Sequence, residues 1–398
     1  MTMVRLKPGH VQPVWAGHPW IYAQAIDAVD RGATAGDEVS VIDPRGNLLG
    51  RGFYSPGSAI PVRLLVRDPS TQIDAAFFRT RFEQALALRA SIGLPSDGPE
   101  ATTGYRVVHA EGDGVPGLVV DRFGDVVAVQ FGTIGMKRRA DMVLDALEAA
   151  IGPRAIVDRT SAQTAKMEGF EPSSGVVRGP AGEVTALDVV ERGLRFRIPL
   201  ELGQKTGFYF DQRSLRGRVE QLARGKRVLD AYAFVGAFAI GAARGGAAEV
   251  VAVDESAAAI AAGVACAALN GVAEKIRFVK ADARKELAEA RGAFDLVVAD
   301  PPRLAPTRGA RDQALLAYGR LAENACGAVR PGGLLVLCSC SAAVDLTALT
   351  RALATGATRA NVQATVLERF FQGPDHPVPA AFGEGLYLKA LIARVDPR

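Results

Sequence analysis

Two of the chain's four cysteines stand two positions apart in LLVLCSCSAA, residues 334–343, at the end of an apolar run. If that run is a strand, its period-two alternation puts Cys338 and Cys340 on the same side. A metal site would need further ligands close by. Cys266 and Cys326 fall in separate Ala-rich stretches, and His10, His18, His109 and His376 are scattered, so no metal is expected. A free cysteine often serves as a small buried hydrophobe, and Cys338, inside the run, suits that role. Cys340, at the run's exit, is placed for chemistry. A thiolate adding to C6 of a pyrimidine pushes electron density onto the weakly nucleophilic C5, which can then attack an electrophilic methyl group.

Four acidic residues close four other apolar runs: Asp230 in RVLDAYA, Asp254 in EVVAVDES, Asp282 in KIRFVKADA and Asp300 in FDLVVADPP. Asp230 leads through Ala231 into a turn ending at Gly236, where a glycine lets the backbone approach a ligand; a plain turn is the other reading. Asp254 can accept hydrogen bonds from ribose hydroxyls, or simply cap the helix that starts near Ser256. Asp282 could meet an adenine amino group. Pro301 and Pro302 restrict the backbone after Asp300, which would hold its carboxyl toward a pocket, within reach of a pyrimidine N3 edge. Arg303 and Leu304 follow, where an enzyme that methylates an exocyclic amine usually carries an aromatic. With no phosphate loop and no lysine at these turns, the four acids together suit a nucleoside ligand without phosphates. S-adenosylmethionine (SAM), an adenosine with a cationic sulfonium, fits, and the spacing resembles class I SAM-dependent methyltransferases.

The elements that must position these residues are legible in outline. From about residue 186, continuous apolar strands alternate with Ala-rich helices, which describes a doubly wound α/β domain, Rossmann-like, with its ligand beyond the carboxyl ends of the strands. Residues 1–67 read as short β-rich pieces of a small barrel-like module. Residues 68–185 read as an α+β middle domain, and 186–398 as the α/β domain. At 398 residues the chain exceeds one ordinary core. It is 48% hydrophobic and 23% charged, which excludes a disordered chain, and its net charge of +4 permits a nucleic-acid partner without demanding one. The N-terminal MTMVRLKPGH lacks the apolar core of a signal peptide, and the longest apolar stretch, residues 231–243, is too short for a membrane helix. With so few cysteines, a soluble cytoplasmic protein without a membrane partner is expected.

Four ordered strings resemble the RlmI-like family of 23S rRNA (cytosine-5) methyltransferases over nearly the whole length. HPWIYAQAI (18–26) looks like the start of that family's PUA domain, a small RNA-binding barrel. AEGDGVPGLVVDRFG (110–124) looks like its middle-domain hallmark, GQKTGFYFDQR (203–213) like the lead-in to its catalytic domain, and DHPVPAAFGEGLYLKALIARV (375–395) like its C-terminal strands. The resemblance implies SAM contacts at the turn after Asp230, at Asp254 and Asp282, and at Gln204, Tyr209 and Asp211. It also implies a nucleophile at the cysteine of the Ser-Cys-Ser string, Cys340. The chain departs from the family in a glycine-poor turn, DAYAFVGAF, in Leu304, and in Gly383-Glu384-Gly385.

The resemblance makes 23S rRNA the expected partner, naked or partly assembled, since a thiol can reach C6 only of an exposed base. The basic run RSLRGRVEQLARGKR (213–227) reads either as a phosphate-tracking helix or as a solvated face. Arg213 is its first candidate contact; Arg303, Arg308 and Arg311 lie beside the expected active site. A guanine methyltransferase that needs no cysteine, and a non-catalytic rRNA-binding assembly factor, are the competing readings. Monomer and homodimer are both open.

Overall fold

The computed structural model describes residues 2–202, 206–304 and 311–398. Gln204 and Arg308 therefore lie outside the described residues. The chain forms two compact units, one of Met1–Arg192, Gly203–Phe208 and Pro374–Gly385, the other of Gly193–Leu202, Tyr209–Gly373 and Leu386–Arg398.

In the first unit, strands β1 (Thr2–Leu6), β2 (Trp20–Ile21), β3 (Ile26–Val29), β4 (Glu38–Ile42), β5 (Leu48–Tyr54) and β6 (Val62–Val66) make one sheet in the order β2-β6-β5-β4-β1-β3. It closes on Val4, Leu6, Val39, Val41 and Val62. A second sheet, order β11-β10-β9-β8-β7, comprises β7 (Gly104–His109), β8 (Leu118–Phe123), β9 (Val126–Phe131), β10 (Ala155–Asp158) and β11 (Gly175–Arg178). The helices Ala75–Ser91 and Ala140–Ile151 cover it. Residues 1–67 and the segment expected as a middle domain share this unit. Phe53, Leu65 and Val66 of the first sheet join the core of the second, and the Arg139 guanidinium lies 3.7 Å from the centre of the Phe53 ring. Trp20 and Tyr22 are structural here: the Trp20 ring meets Phe382 edge-on at 4.6 Å, and the Tyr22 hydroxyl donates to Glu384 at 2.8 Å. Glu384, in one of the stretches that depart from the family pattern, thus has a local anchoring role. β12 (Ala186–Glu191) ends the first long stretch of this unit, and β13 (Leu194–Pro199) opens the second unit.

The second unit is built on a seven-stranded sheet of β14 (Arg227–Ala231), β15 (Glu249–Asp254), β16 (Ile276–Lys280), β17 (Phe294–Ala299), β18 (Val329–Ser339), β19 (Val362–Phe371) and β20 (Lys389–Pro397), in the order β16-β15-β14-β17-β18-β20-β19. Strands β14 to β18 pair in parallel, while β20 runs antiparallel to both neighbours. The apolar runs of β14, β15, β17 and β20 are buried on both faces, as strands sheathed by helices require, whereas the edge strands β16 and β19 are only partly buried. The strand order reverses between β14 and β17, which is where such sheets open a crevice for ligands.

One face is closed by the helices Arg311–Ala328 and Leu346–Arg359. They approach so closely that a Cβ on Gly356 would lie 2.5 Å from the Glu323 amide nitrogen and 2.6 Å from Ala322 Cβ. Alanine is normally the better helix residue by about 1 kcal/mol, but here overpacking reverses the sign. Gly356→Ala should lower unfolding stability by about 1–3 kcal/mol. Gly327→Ala, where a Cβ meets nothing within 4 Å, should hold or raise it; urea midpoints of the two variants against the parent check both.

Candidate active site

The parallel register brings the expected acids to one edge. Asp230 lies within β14 and is 1% exposed; its Oδ2 accepts the Ala239 amide at 3.0 Å, and among the described residues its Oδ1 has no hydrogen-bond partner. Burial, aided by the charges of Asp300 and Asp254, pushes its pKa up to about 8, against the pull of the Ala239 amide and Arg216. A buried carboxylate with an orphaned oxygen is an incomplete site, and a cationic ligand such as the sulfonium of SAM would complete it.

The turn after β14 carries backbone strain. Tyr232 and Phe234 take φ of +66° and +52°, a region that costs a side chain about 1–2 kcal/mol per residue. Gly236 follows with φ +72°, and a Cβ there would lie 2.8 Å from the Phe278 ring. Strained backbone of this kind concentrates at ligand sites. Asp254 holds the turn: its Oδ2 accepts the Phe234 amide and its Oδ1 the Ser256 amide, both at 2.8 Å. The helix cap itself is Ser256, whose hydroxyl accepts from the Ala259 amide. Asp282 does cap a helix, Ala283–Glu289, and pairs with the Arg284 guanidinium at 2.8 Å, which lowers its pKa. Any adenine contact at Asp282 competes with that pairing.

Asp300 follows the last residue of β17 and accepts from Gln212 Nε2 at 3.0 Å. Tyr209 stands edge-on to Phe234 with ring centres 5.5 Å apart, and its phenol pKa is raised by burial and by the charges of Asp300, Asp211, Cys340 and Asp254. Tyr209 therefore sits where the edge's charges converge. Asp211 is buried and accepts the Tyr387 hydroxyl at 2.6 Å. Cys338 is fully buried, its thiol pushed well up by desolvation and by Asp300. Cys340, just past β18, is half-buried, whereas the other three cysteines are buried. Among the described residues no cluster of metal-ligating side chains occurs.

The basic run 213–227 is corrected in part. Arg213 is 9% exposed and Arg216 4% exposed, and Arg216 donates to the Tyr209 carbonyl at 2.9 Å. Arg218 pairs with Glu368. The inner face of this helix serves the unit's own core and lead-in segment, so Arg213 is not presented as a phosphate-tracking side chain. Arg303 is exposed.

Sequence reasoning passed over Gln212 and Lys389, though both lie in strings already singled out. Lys389 is 3% exposed and donates to the carbonyls of Ser341 (2.9 Å) and Tyr387 (2.8 Å). Its signal was a lone cation at the start of an apolar strand.

Sheet order, strand-end acids and orphaned carboxylate together define a class I SAM-dependent methyltransferase. The chain matches the model of a PUA-like domain over residues 4–67 and that of S-adenosylmethionine-dependent methyltransferases over residues 150–394. It is 35% identical to "Ribosomal RNA large subunit methyltransferase I" of Shewanella denitrificans, covering 98% of this chain and 99% of that one. It is 37% identical to "Ribosomal RNA large subunit methyltransferase" of Deinococcus radiodurans, covering 96% and 94%. A solved Streptococcus mutans structure superposes with a TM-score of 0.84 at 18% identity, covering 99% of this chain and all of that one, which shows the shared fold. The chain belongs to the S-adenosylmethionine-dependent methyltransferase family, in the branch of the ribosomal RNA large subunit methyltransferases I. Among the described residues no helix is long and apolar enough to cross a membrane.

Asp230 yields a pH signature. With its folded pKa near 8 and an ordinary value near 3.8 when unfolded, the folded state holds the extra proton between those values, so stability falls as pH rises across that window. Asn keeps an acceptor for the Ala239 amide and carries no charge. Asp230→Asn should flatten the decline, so that the thermal midpoints of variant and parent diverge as pH rises from about 5 to 8; parallel curves would refute the buried charge.

Proposed function

We propose that this enzyme transfers the methyl group of SAM to C5 of a cytosine in large-subunit (23S) ribosomal RNA through a bond between Cys340 Sγ and C6. The observation that carries this reading is the placement of Cys340: of the four cysteines it alone is not fully buried, and it leaves β18 beside β17, the strand that Asp300 follows. The names of the relatives support the substrate class.

SAM supplies the methyl group and a positive charge suited to the Asp230 carboxylate. The Cys340 thiolate adds to C6, and the C5–C6 π electrons move onto C5, whose attack on the methyl carbon leaves S-adenosylhomocysteine. Loss of the C5 proton then returns electrons to the ring as the C6–S bond breaks, restoring the thiolate. Asp300, oriented by Gln212, shares a proton with the N3 edge and steadies the charge that builds on the adduct. Asp254 and Asp282 take the ribose and adenine ends of the cofactor, and Tyr209 and Asp211 border it, with Gln204 of the same lead-in string assigned there by resemblance. Arg303 and Arg308 engage phosphates, and the PUA-like domain adds RNA surface. The target base is one that RNA folding leaves exposed, in naked or partly assembled large subunits in the cytoplasm.

Incubation of the protein with methyl-labelled SAM and undermodified rRNA, followed by nucleoside mass spectrometry, is the test. The parent should form 5-methylcytidine and Cys340→Ala none. A different methylated nucleoside that persists in Cys340→Ala would overturn the reading in favour of a cysteine-independent reaction.

A further inference from the structure

Lys389 is a cation placed where the proposed chemistry has not yet used one. It opens β20 directly across from Ser339 of β18, and its Nζ reaches the carbonyl of Ser341. Ser339 and Ser341 are the two residues that flank Cys340, so Lys389 spans the nucleophile's backbone from both sides. Its side chain is almost out of water. An ammonium has three N–H donors; two go to the carbonyls of Ser341 and Tyr387. Among the described residues the third has no acceptor, an expensive condition for a buried charge.

We propose that Lys389 is a positioning residue that holds Cys340 as a thiolate by pairing its ammonium with the sulfur. This deepens the role assigned to Cys340 and rests on it. The thiol proton passes to solvent, the sulfur keeps the electron pair that later forms the C6–S bond, and Lys389 remains an ammonium throughout. When that bond breaks, the pair is restored without proton transfer. Burial lowers the Lys389 pKa to about 8, which leaves it cationic at neutral pH, and the charge of Cys340 works in the opposite direction. The other groups around the pair are Asp300, which disfavours a thiolate; Tyr209 and Tyr318, whose raised phenol pKa values keep them neutral; and Asp345 and Arg303, which act on Lys389 from the more open side.

Alkylation reads this pairing without RNA, SAM or turnover. Because Cys266, Cys326 and Cys338 are each 0% exposed, iodoacetamide applied to the full-length protein should modify Cys340 first, and peptide mass spectrometry can follow that site alone as pH is varied. The parent's rate should reach half its plateau clearly below pH 8.5, about the ordinary thiol midpoint. Lys389→Met should move that midpoint up by about one unit or more, a loss of about tenfold in rate near neutral pH, and Lys389→Arg should return it toward the parent. A parent midpoint at or above 8.5 overturns the pairing even if no variant folds, as does a Lys389→Met profile that overlays the parent's. If the midpoint shifts as expected while Cys340→Ala still methylates RNA, the pairing stands and the proposed cysteine mechanism falls.

Discussion

One register of parallel pairing governs the site. Ala231 of β14 stands beside Ala299 of β17, and Ala299 beside Leu337 of β18. The next residues on the last two strands are Asp300 and Cys338, so these two are level with each other. Cys340 lies two residues further out, about 7 Å along an extended chain. That offset divides the labour between the cysteines. Cys338 is trapped at the depth of the Asp300 carboxylate, where neither burial nor charge permits a thiolate. Cys340 reaches the rim. A slip of one residue would turn both cysteines to the opposite face.

The same edge stores unfavourable electrostatics. Asp300 and Asp254 add to the cost of ionising the buried Asp230, and the backbone between Asp230 and Asp254 includes two non-glycine residues in the left-handed region. A cation at this edge would offset the Asp230 carboxylate, and a bound nucleoside would give the strained turn something to hold. Asp254 is central because one of its oxygens fastens that turn at the Phe234 amide while the other holds the Ser256 amide beyond its own strand. The edge is thus preorganised by backbone hydrogen bonds, with one carboxylate oxygen of Asp230 left without a hydrogen-bond partner among the described residues.

How much of this the sequence reveals depends on how local the cause is. Strand ends are legible because a continuous apolar run followed by an acid is a local pattern, and all four acids fall at or just beyond the carboxyl edge. The difference in burial between Cys338 and Cys340 is legible for the same reason. The strain at Tyr232 and Phe234 is visible only as a shortage of glycine in DAYAFVGAF. Arg213 is misread because a charge run looks solvated until the elements packed against its helix are known. Lys389 is nearly 50 residues from Cys340 in sequence, and only the antiparallel pairing of β20 with β18 brings them together. No periodicity encodes that neighbourhood.

That pairing also explains why a parallel sheet ends in an antiparallel strand. A further parallel strand would carry its carboxyl end to the rim and its amino end away from it. β20 enters at the rim instead, so the residues that precede and open it, Tyr387 and Lys389, arrive beside the carboxyl ends of the others. Tyr387 binds Asp211 in the lead-in segment, and Lys389 binds the residue after Cys340. The reversed strand therefore ties together two stretches that the parallel part of the sheet leaves as loose ends, and it does so with side chains that stand on one face of the chain because they are two residues apart. The cation beside Cys340 is a consequence of strand direction before it is a matter of residue type.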